Sequence, residues 1–132
     1  MRRFIPPNLD AALLILRLVL GIIMVYHGYP KVTGFSGTAE FFAGAGIPMP
    51  MLTAAYAAIV EFAGGILLIL GVATDLVGLL FAIDMLGAIY FVHFSKGFSA
   101  ANGGYEFPLA LLAMALAISF AGPGRFAVGR KT

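Results

Sequence analysis

Four stretches of this chain, at about residues 11–28, 52–72, 76–93 and 107–121, are apolar and hold one charged residue each or none. At 1.5 Å per residue the first three are roughly 26–32 Å long, the thickness of a bilayer's hydrocarbon core. The fourth is nearer ~22 Å and borrows length from Tyr105 and Glu106. In hydrocarbon every backbone N–H and C=O must find its partner inside the chain, so runs of this length become helices. Charged residues make up 11% of the chain, against about 25% in soluble domains, so most of it is built for lipid. The expectation is an all-α, integral membrane, four-helix up-down bundle formed as one domain over residues 1–132. The short turn Gly71-Val72-Ala73-Thr74-Asp75 forces the second and third spans into an antiparallel hairpin.

The connections carry the polarity. Arg2, Arg3, Arg125, Arg130 and Lys131 fall on one side of the predicted bundle, and only Lys31 and Lys96 on the other. The positive-inside rule places both termini in the cytoplasm. Arg2-Arg3 ahead of an apolar run mimics an export signal. Arg17 interrupts that run and no small-residue cleavage site follows, so Leu13 to His27 reads as a retained anchor. Pro6-Pro7 precede the first span, and Asn8 or Asp10 is its cap. The outer connection from Tyr29 to Met51 holds a further helical segment, Ser36 to Ala45, apolar on one side through Phe41 and Phe42. It reads as a short helix at the membrane interface. No basic stripe lies on a polar domain, which excludes a nucleic-acid binder. Cysteine is absent, so any thiol or sulfur chemistry has to come from a partner or cofactor.

Arg17, Glu61 and Asp84 interrupt three of the apolar runs. A charge at mid-membrane costs roughly 2.5–3.5 kcal/mol on insertion scales, so such residues turn inward. Counted from the cytoplasmic ends, Arg17 lies about 9 Å deep, Asp84 about 12 Å and Glu61 about 15 Å. An arginine spans that range. The expected buried polar cluster therefore has Arg17 bridging Glu61 and, within reach, Asp84. Two acids and one base leave a surplus charge, and the cheaper state has one acid protonated. The cluster reads equally as an ion pair that sets helix register, with snorkelling of Arg17 as a further alternative.

A second constellation sits at the outer ends of the spans: His27, Lys31, His93, Tyr105 and Glu106. Imidazoles, an ammonium and a carboxylate at one depth suit a small ligand or a polar headgroup. No HExxH or CxxC spacing points to a metal. Asp84 and His93 are nine residues apart, which puts them on opposite faces of a regular helix. They line one axis only if that helix is distorted.

The ordered set Arg17-Leu18-x-Leu20-Gly21, His27-Gly28-x-x-Lys31, Gly46-Ile47-Pro48, Glu61-x-x-Gly64-Gly65-x-Leu67-Leu68-x-Leu70-Gly71, Val92-His93-x-x-x-Gly97-Phe98, Gly103-Gly104-Tyr105-Glu106 and Gly122-Pro123-Gly124-Arg125 resembles the DoxX family of small four-helix membrane proteins. The resemblance implies a multi-pass protein of the bacterial inner membrane. It associates the chain with thiosulfate:quinone oxidoreductase-like systems, and hence with quinone and a membrane oxidoreductase complex. By the same resemblance Arg17, His27, Glu61, His93, Tyr105 and Glu106 are site candidates, with Asp84 less securely part of the pattern. The leading expectation is a non-autonomous redox subunit without its own redox-active cysteine. The alternatives are a small transporter or lipid- or small-molecule-binding protein, and a structural scaffold for a membrane enzyme complex. Small-residue stripes such as Ala113, Ala117 and Ala121 suit either internal packing or a homo-oligomer.

Overall fold

The structure, a computed structural model, describes residues 2–129; Arg130 and Lys131, which enter the charge asymmetry above, lie outside the described residues. Among those residues the chain is all-helical, with five α-helices and no strand. Helix α1 spans Leu9–Thr33, α2 Phe35–Gly44, α3 Pro50–Leu70, α4 Thr74–Ala88 and α5 Glu106–Ala121. Beyond α4 the chain keeps winding through a π-helical turn, Ile89–His93, and a 3-10 turn, Phe94–Lys96. Helix α1, helix α3 and the continuous stretch Thr74–Lys96 are each long and apolar enough to cross a membrane, while α5 is shorter at 16 residues.

The helix ends follow local chemistry. Asn8 is the cap of α1, its side chain accepting from the Ala11 N–H at 3.0 Å. Asp10 has a different task and accepts from the Arg125 N–H at 2.9 Å. Helix α1 runs past its expected end at Gly28, through Pro30, to Thr33. Pro30 removes one backbone donor from the last turns. The Lys31 ammonium donates to the His27 carbonyl at 3.1 Å in the same region. Helix α3 starts with Pro50 in its first turn, where a missing N–H costs nothing. It ends at Gly71, whose φ of 80° is the left-handed conformation that a Cβ disfavours.

Helices α1 and α3 run antiparallel in very close contact, and Gly28 permits it. A Cβ on Gly28 would collide with the backbone of Phe62 and approach the Glu61 carbonyl carbon to 2.8 Å. Farther along, Gly21 and Gly65 face each other's carbonyl oxygens in the same way. Helices in lipid have no hydrophobic drive toward each other, so backbone approach of this kind holds them through dispersion. Helix α4 packs chiefly on α5, where Ser119 Oγ donates to the Asp75 carbonyl at 2.9 Å. Leu20, Met24, Leu68, Phe81, Ala115 and Ile118 fill the shared core. The outward faces stay apolar, with Ile22, Ile59, Leu79, Leu86 and Phe120 exposed. Such a surface suits lipid rather than water. Helix α2 lies over α3, in the connection where a short helix was expected.

Candidate functional site

Arg17 and Glu61, expected to bridge, take different partners about two turns apart along α3. Arg17 is almost fully buried at 1% exposure, and it spends its donors on backbone. Its Nε donates to the Leu68 carbonyl at 3.0 Å and Nη2 to the Ile69 carbonyl at 3.0 Å. Its Nη1 donates to the carbonyls of Pro123 at 2.9 Å and Phe126 at 3.0 Å. Two of these are the open carbonyls that any helix leaves at its C-terminus, here that of α3. The other two belong to the segment after α5. Val128 N–H and Gly129 N–H complete the seam at the carbonyls of Leu70, 2.9 Å, and Gly71, 3.2 Å. A guanidinium favours this arrangement, since cations are stabilised at helix C-termini. The bridging reading is therefore corrected. Depth along a helix is legible in a sequence, but backbone acceptors at the same depth are not.

Glu61 finds its cation elsewhere. Lys31 Nζ meets Glu61 Oε1 at 2.8 Å, with the Glu61 side chain only 4% exposed. The approach at Gly28 makes this pair, because it brings the last turns of α1 directly onto the Glu61 turn of α3. The Asp84 carboxyl, from α4, lies against that of Glu61. Asp84 Oδ2 is buried, and it is the one buried side-chain polar atom among the described residues without a hydrogen-bond partner. The polar cluster is thus Lys31, Glu61 and Asp84, with Arg17 absent from it.

These groups form one wall of a cavity of about 750 Å³. Residues of α1, α3, α4 and α5 line it, and Phe41 and Phe42 of α2 join the lining. Its lining is otherwise mostly apolar, with Ile23, Met24, Phe81, Phe91 and Leu111 among the contributors. His27, His93 and Lys96 also reach it. The size and the few convergent polar groups are those of a small-molecule site.

The backbone sets each imidazole. His27 Nδ1 is 2.9 Å from the Ile23 carbonyl, and His93 Nδ1 is 2.7 Å from the Gly103 carbonyl. A carbonyl only accepts, so both rings carry a proton on Nδ1, and a neutral ring then offers Nε2 as an acceptor. Tyr56, also in the lining, donates to the Leu80 carbonyl at 2.6 Å, one turn before Asp84.

Asp84 and His93 share the cavity because the helix between them is distorted. The Phe94 N–H bonds to the Ile89 carbonyl, a step of five residues in place of four. One extra residue in the turn resets the facing by about 100°, which removes most of the opposition expected over nine regular positions. Nothing in Ile89-Tyr90-Phe91-Val92-His93 announces a π turn except the conflict between two polar residues on one apolar helix.

Tyr105 and Glu106 are not in the cavity wall. Tyr105 stacks on Phe94, centroids 5.7 Å apart, and Glu106 Oε2 accepts from the Ala100 N–H at 2.6 Å. Both organise the loop whose Gly103 carbonyl holds His93. Sequence reasoning missed Tyr56, Lys96 and the α2 phenylalanines as lining. The α2 pair carried a signal, being apolar on one side of a loop helix that has to cover something.

Span-length apolar helices, apolar outward faces and a cavity with charged residues in its lining define a small helical membrane protein. The chain belongs to the DoxX family, whose model matches residues 12–94. It is 37% identical over 112 residues to "Putative oxidoreductase CatD" of Bacillus subtilis, covering 85% of this chain and 81% of that one. It is 40% identical over 81 residues to the inner membrane protein YphA of Escherichia coli, covering 61% and 58% of the two chains. The inner membrane protein YqjF of the same organism is 26% identical over 123 residues, 92% of each chain. No solved structure matches the chain.

Proposed function

We propose that the protein binds a quinone-like apolar molecule in this cavity and serves as a non-autonomous subunit of a membrane redox system. The carrying observation is the cavity itself, apolar over most of its wall, with Asp84, His27 and His93 on it. The fit is chemical as well as steric. A quinone head needs hydrogen-bonding groups at its oxygens, and His27, His93 and Lys96 reach the lining. When bound, a quinone supplies acceptance of two electrons and two protons. The protein's own residues hold it: Nε2 of His27 and His93 accepts from the hydroxyls of the reduced, quinol form, and the apolar lining packs on the ring. The relative named as an oxidoreductase supports the redox association. Any thiol or sulfur step belongs to a partner or cofactor, since the chain has no cysteine.

This reading includes the topology. The pairings of Gly21 with Gly65, Tyr56 with Leu80 and Ser119 with Asp75 suit α1, α3, α4 and α5 as an up-down-up-down four-helix bundle. The positive-inside rule applied to Arg2, Arg3 and Arg125 supports a topology with both termini in the cytoplasm, the cavity in the outer leaflet and α2 at its interface. The test is equilibrium binding of decylubiquinone to the protein in nanodiscs, followed by the quinone's ultraviolet band. Saturable binding that weakens in His93→Phe is expected. Absence of saturable binding refutes the reading.

The Lys31-Glu61-Asp84 group favours a second reading, a proton-coupled transporter, because paired acids inside a bundle commonly relay protons. Equal substrate-driven proton flux in proteoliposomes of wild type and Glu61→Gln would remove it.

A further inference from the structure

We infer that the cavity opens sideways into the bilayer through a slot between α3 and α4 at Gly87, and that its ligand carries an apolar tail which lies in that slot. This rests on the cavity being the site of a quinone-like molecule and adds how that molecule enters and what shape it has.

Some residues line the cavity and face outward at once. Leu52 of α3 is 63% exposed and Ile83 of α4 is 49% exposed, yet both belong to the lining. A side chain that does both stands at an opening. Gly87, one helical turn after Ile83 and on the same face of α4, lines the cavity as well. A Cβ placed on Gly87 would meet no atom within 4 Å, so the rim of α4 has a gap there. The bond of 2.6 Å from the Tyr56 hydroxyl to the Leu80 carbonyl pins α3 to α4. Leu52 precedes Tyr56 by about one turn, and Ile83 and Gly87 follow Leu80. The short turn 71–73 makes the two helices an antiparallel hairpin, in which those two directions coincide. Leu52, Ile83 and Gly87 therefore flank one seam beyond the pin.

Depth decides what lies outside that seam. Gly87 falls near the middle of the crossing stretch Thr74–Lys96, where a helix is surrounded by hydrocarbon. Leu52 lies in the first turn of α3, nearer the interface, and Phe41 of α2 also lines the cavity while 57% exposed. The opening is thus a strip from mid-membrane toward the interface, with an apolar rim. The polar lining groups are placed differently: His27, His93 and Lys96 lie near the ends of their helical stretches. A head held among them leaves an apolar tail two routes. One leads past polar groups toward water, which forfeits the hydrophobic effect along the whole tail. The other leads through the slot into lipid. A head without a tail gains nothing from the slot, so Gly87 sets a preference for tailed ligands dissolved in the membrane.

Photolabelling of the wild-type protein in nanodiscs tests the route directly. The probe is decylubiquinone with a diazirine on the tail carbon next to the ring, and peptide mass spectrometry locates the adduct. Adducts at Leu52, Ile83 or Gly87 are expected. Adducts confined to Lys96 and Phe107 overturn the slot and leave the cavity reading standing. Affinity gives an independent measure. Gly87→Phe fills the gap without a clash at Cβ, and phenylalanine is a better helix former than glycine. It should bind decylubiquinone about tenfold more weakly than wild type, and ubiquinone-0, the same head without a tail, within about twofold. Leu79→Phe, on the outward face and outside the lining, should bind both as wild type does. Unchanged affinity of Gly87→Phe for decylubiquinone, or equal weakening of both quinones, refutes the slot. If Gly87→Phe does not fold, the adduct positions alone decide. Failure of wild type to bind decylubiquinone saturably overturns the cavity reading and the slot together.

Discussion

Replacing Arg17 by alanine should be among the most damaging single changes in this protein, and the damage should fall on the C-terminal segment. The guanidinium makes four hydrogen bonds of 2.9–3.0 Å to the carbonyls of Leu68, Ile69, Pro123 and Phe126. A hydrogen bond to a charged group contributes about 1.5–3 kcal/mol net when its partner stays buried. Multiplying by four overshoots, because the four share one desolvated cation and the freed carbonyls at a helix end are partly rehydrated. A loss of about 3–5 kcal/mol is the working figure. Arg17→Lys keeps the charge but replaces a planar fork with a point donor, so it recovers only part of the loss. The assay is reversible unfolding in mixed micelles, with limited proteolysis to locate the released chain. Cleavage should appear between Gly122 and Gly129 before the helices give way. A double-mutant cycle between Arg17→Ala and Glu61→Gln should show coupling under about 0.5 kcal/mol, since the two share no partner. A loss below about 1 kcal/mol for Arg17→Ala, or strong coupling to Glu61, would refute the carbonyl clamp in favour of an ion pair.

Three further outcomes are expected. Lys31→Met leaves Glu61 buried without its cation and should cost about 3–5 kcal/mol, while Lys31→Met with Glu61→Met should recover most of it; micelle unfolding of the three proteins checks this. Gly28→Val forces α1 from the backbone of Phe62 and Glu61, so melting should drop by more than the ~1–3 kcal/mol of ordinary overpacking, and a spin-label pair across α1 and α3 should report separation. His93→Phe removes the bond to the Gly103 carbonyl, so amide exchange in residues 97–105 should rise while global stability falls by only about 1 kcal/mol.

The helices were legible because hydrocarbon leaves so few alternatives. Three of the four apolar runs match helical stretches of crossing length, and the loop helix appears as Phe35–Gly44 within two residues of its expected limits. The pairing of the charges was not legible. Position along a helix comes from counting, but which neighbour stands at that depth depends on crossing geometry. The crossing here is set by Gly21, Gly28 and Gly65, which let α1 slide onto α3 until Lys31 reaches Glu61. Lys31 was read as an interfacial residue beyond the span, and Pro30 obscured that α1 continues to Thr33. Tyr105 and Glu106 were placed at the right level and given the wrong neighbours, since loop hydrogen bonds carry no periodic signal.

The Arg17 and Glu61 levels of the bundle handle buried charge in different ways. At the Arg17 level each guanidinium nitrogen bonds a backbone carbonyl, and the clamp closes the end of α3 with the segment after α5. At the Glu61 level one lysine pairs with one of two adjacent carboxyls, and the π turn rotates His93 toward the same space. A π turn gives up regular helical bonding, and such turns gather where a side chain has to be re-aimed. In this helix the re-aimed residue is an imidazole, and the wall it joins holds an unmet buried oxygen. Deleting one residue from Ile89–His93 should therefore restore α-helical winding and turn His93 out of the cavity. If ligand binding survives that deletion with the fold intact, His93 has no part in recognition, which then falls to His27, Lys31, Glu61, Asp84 and Lys96.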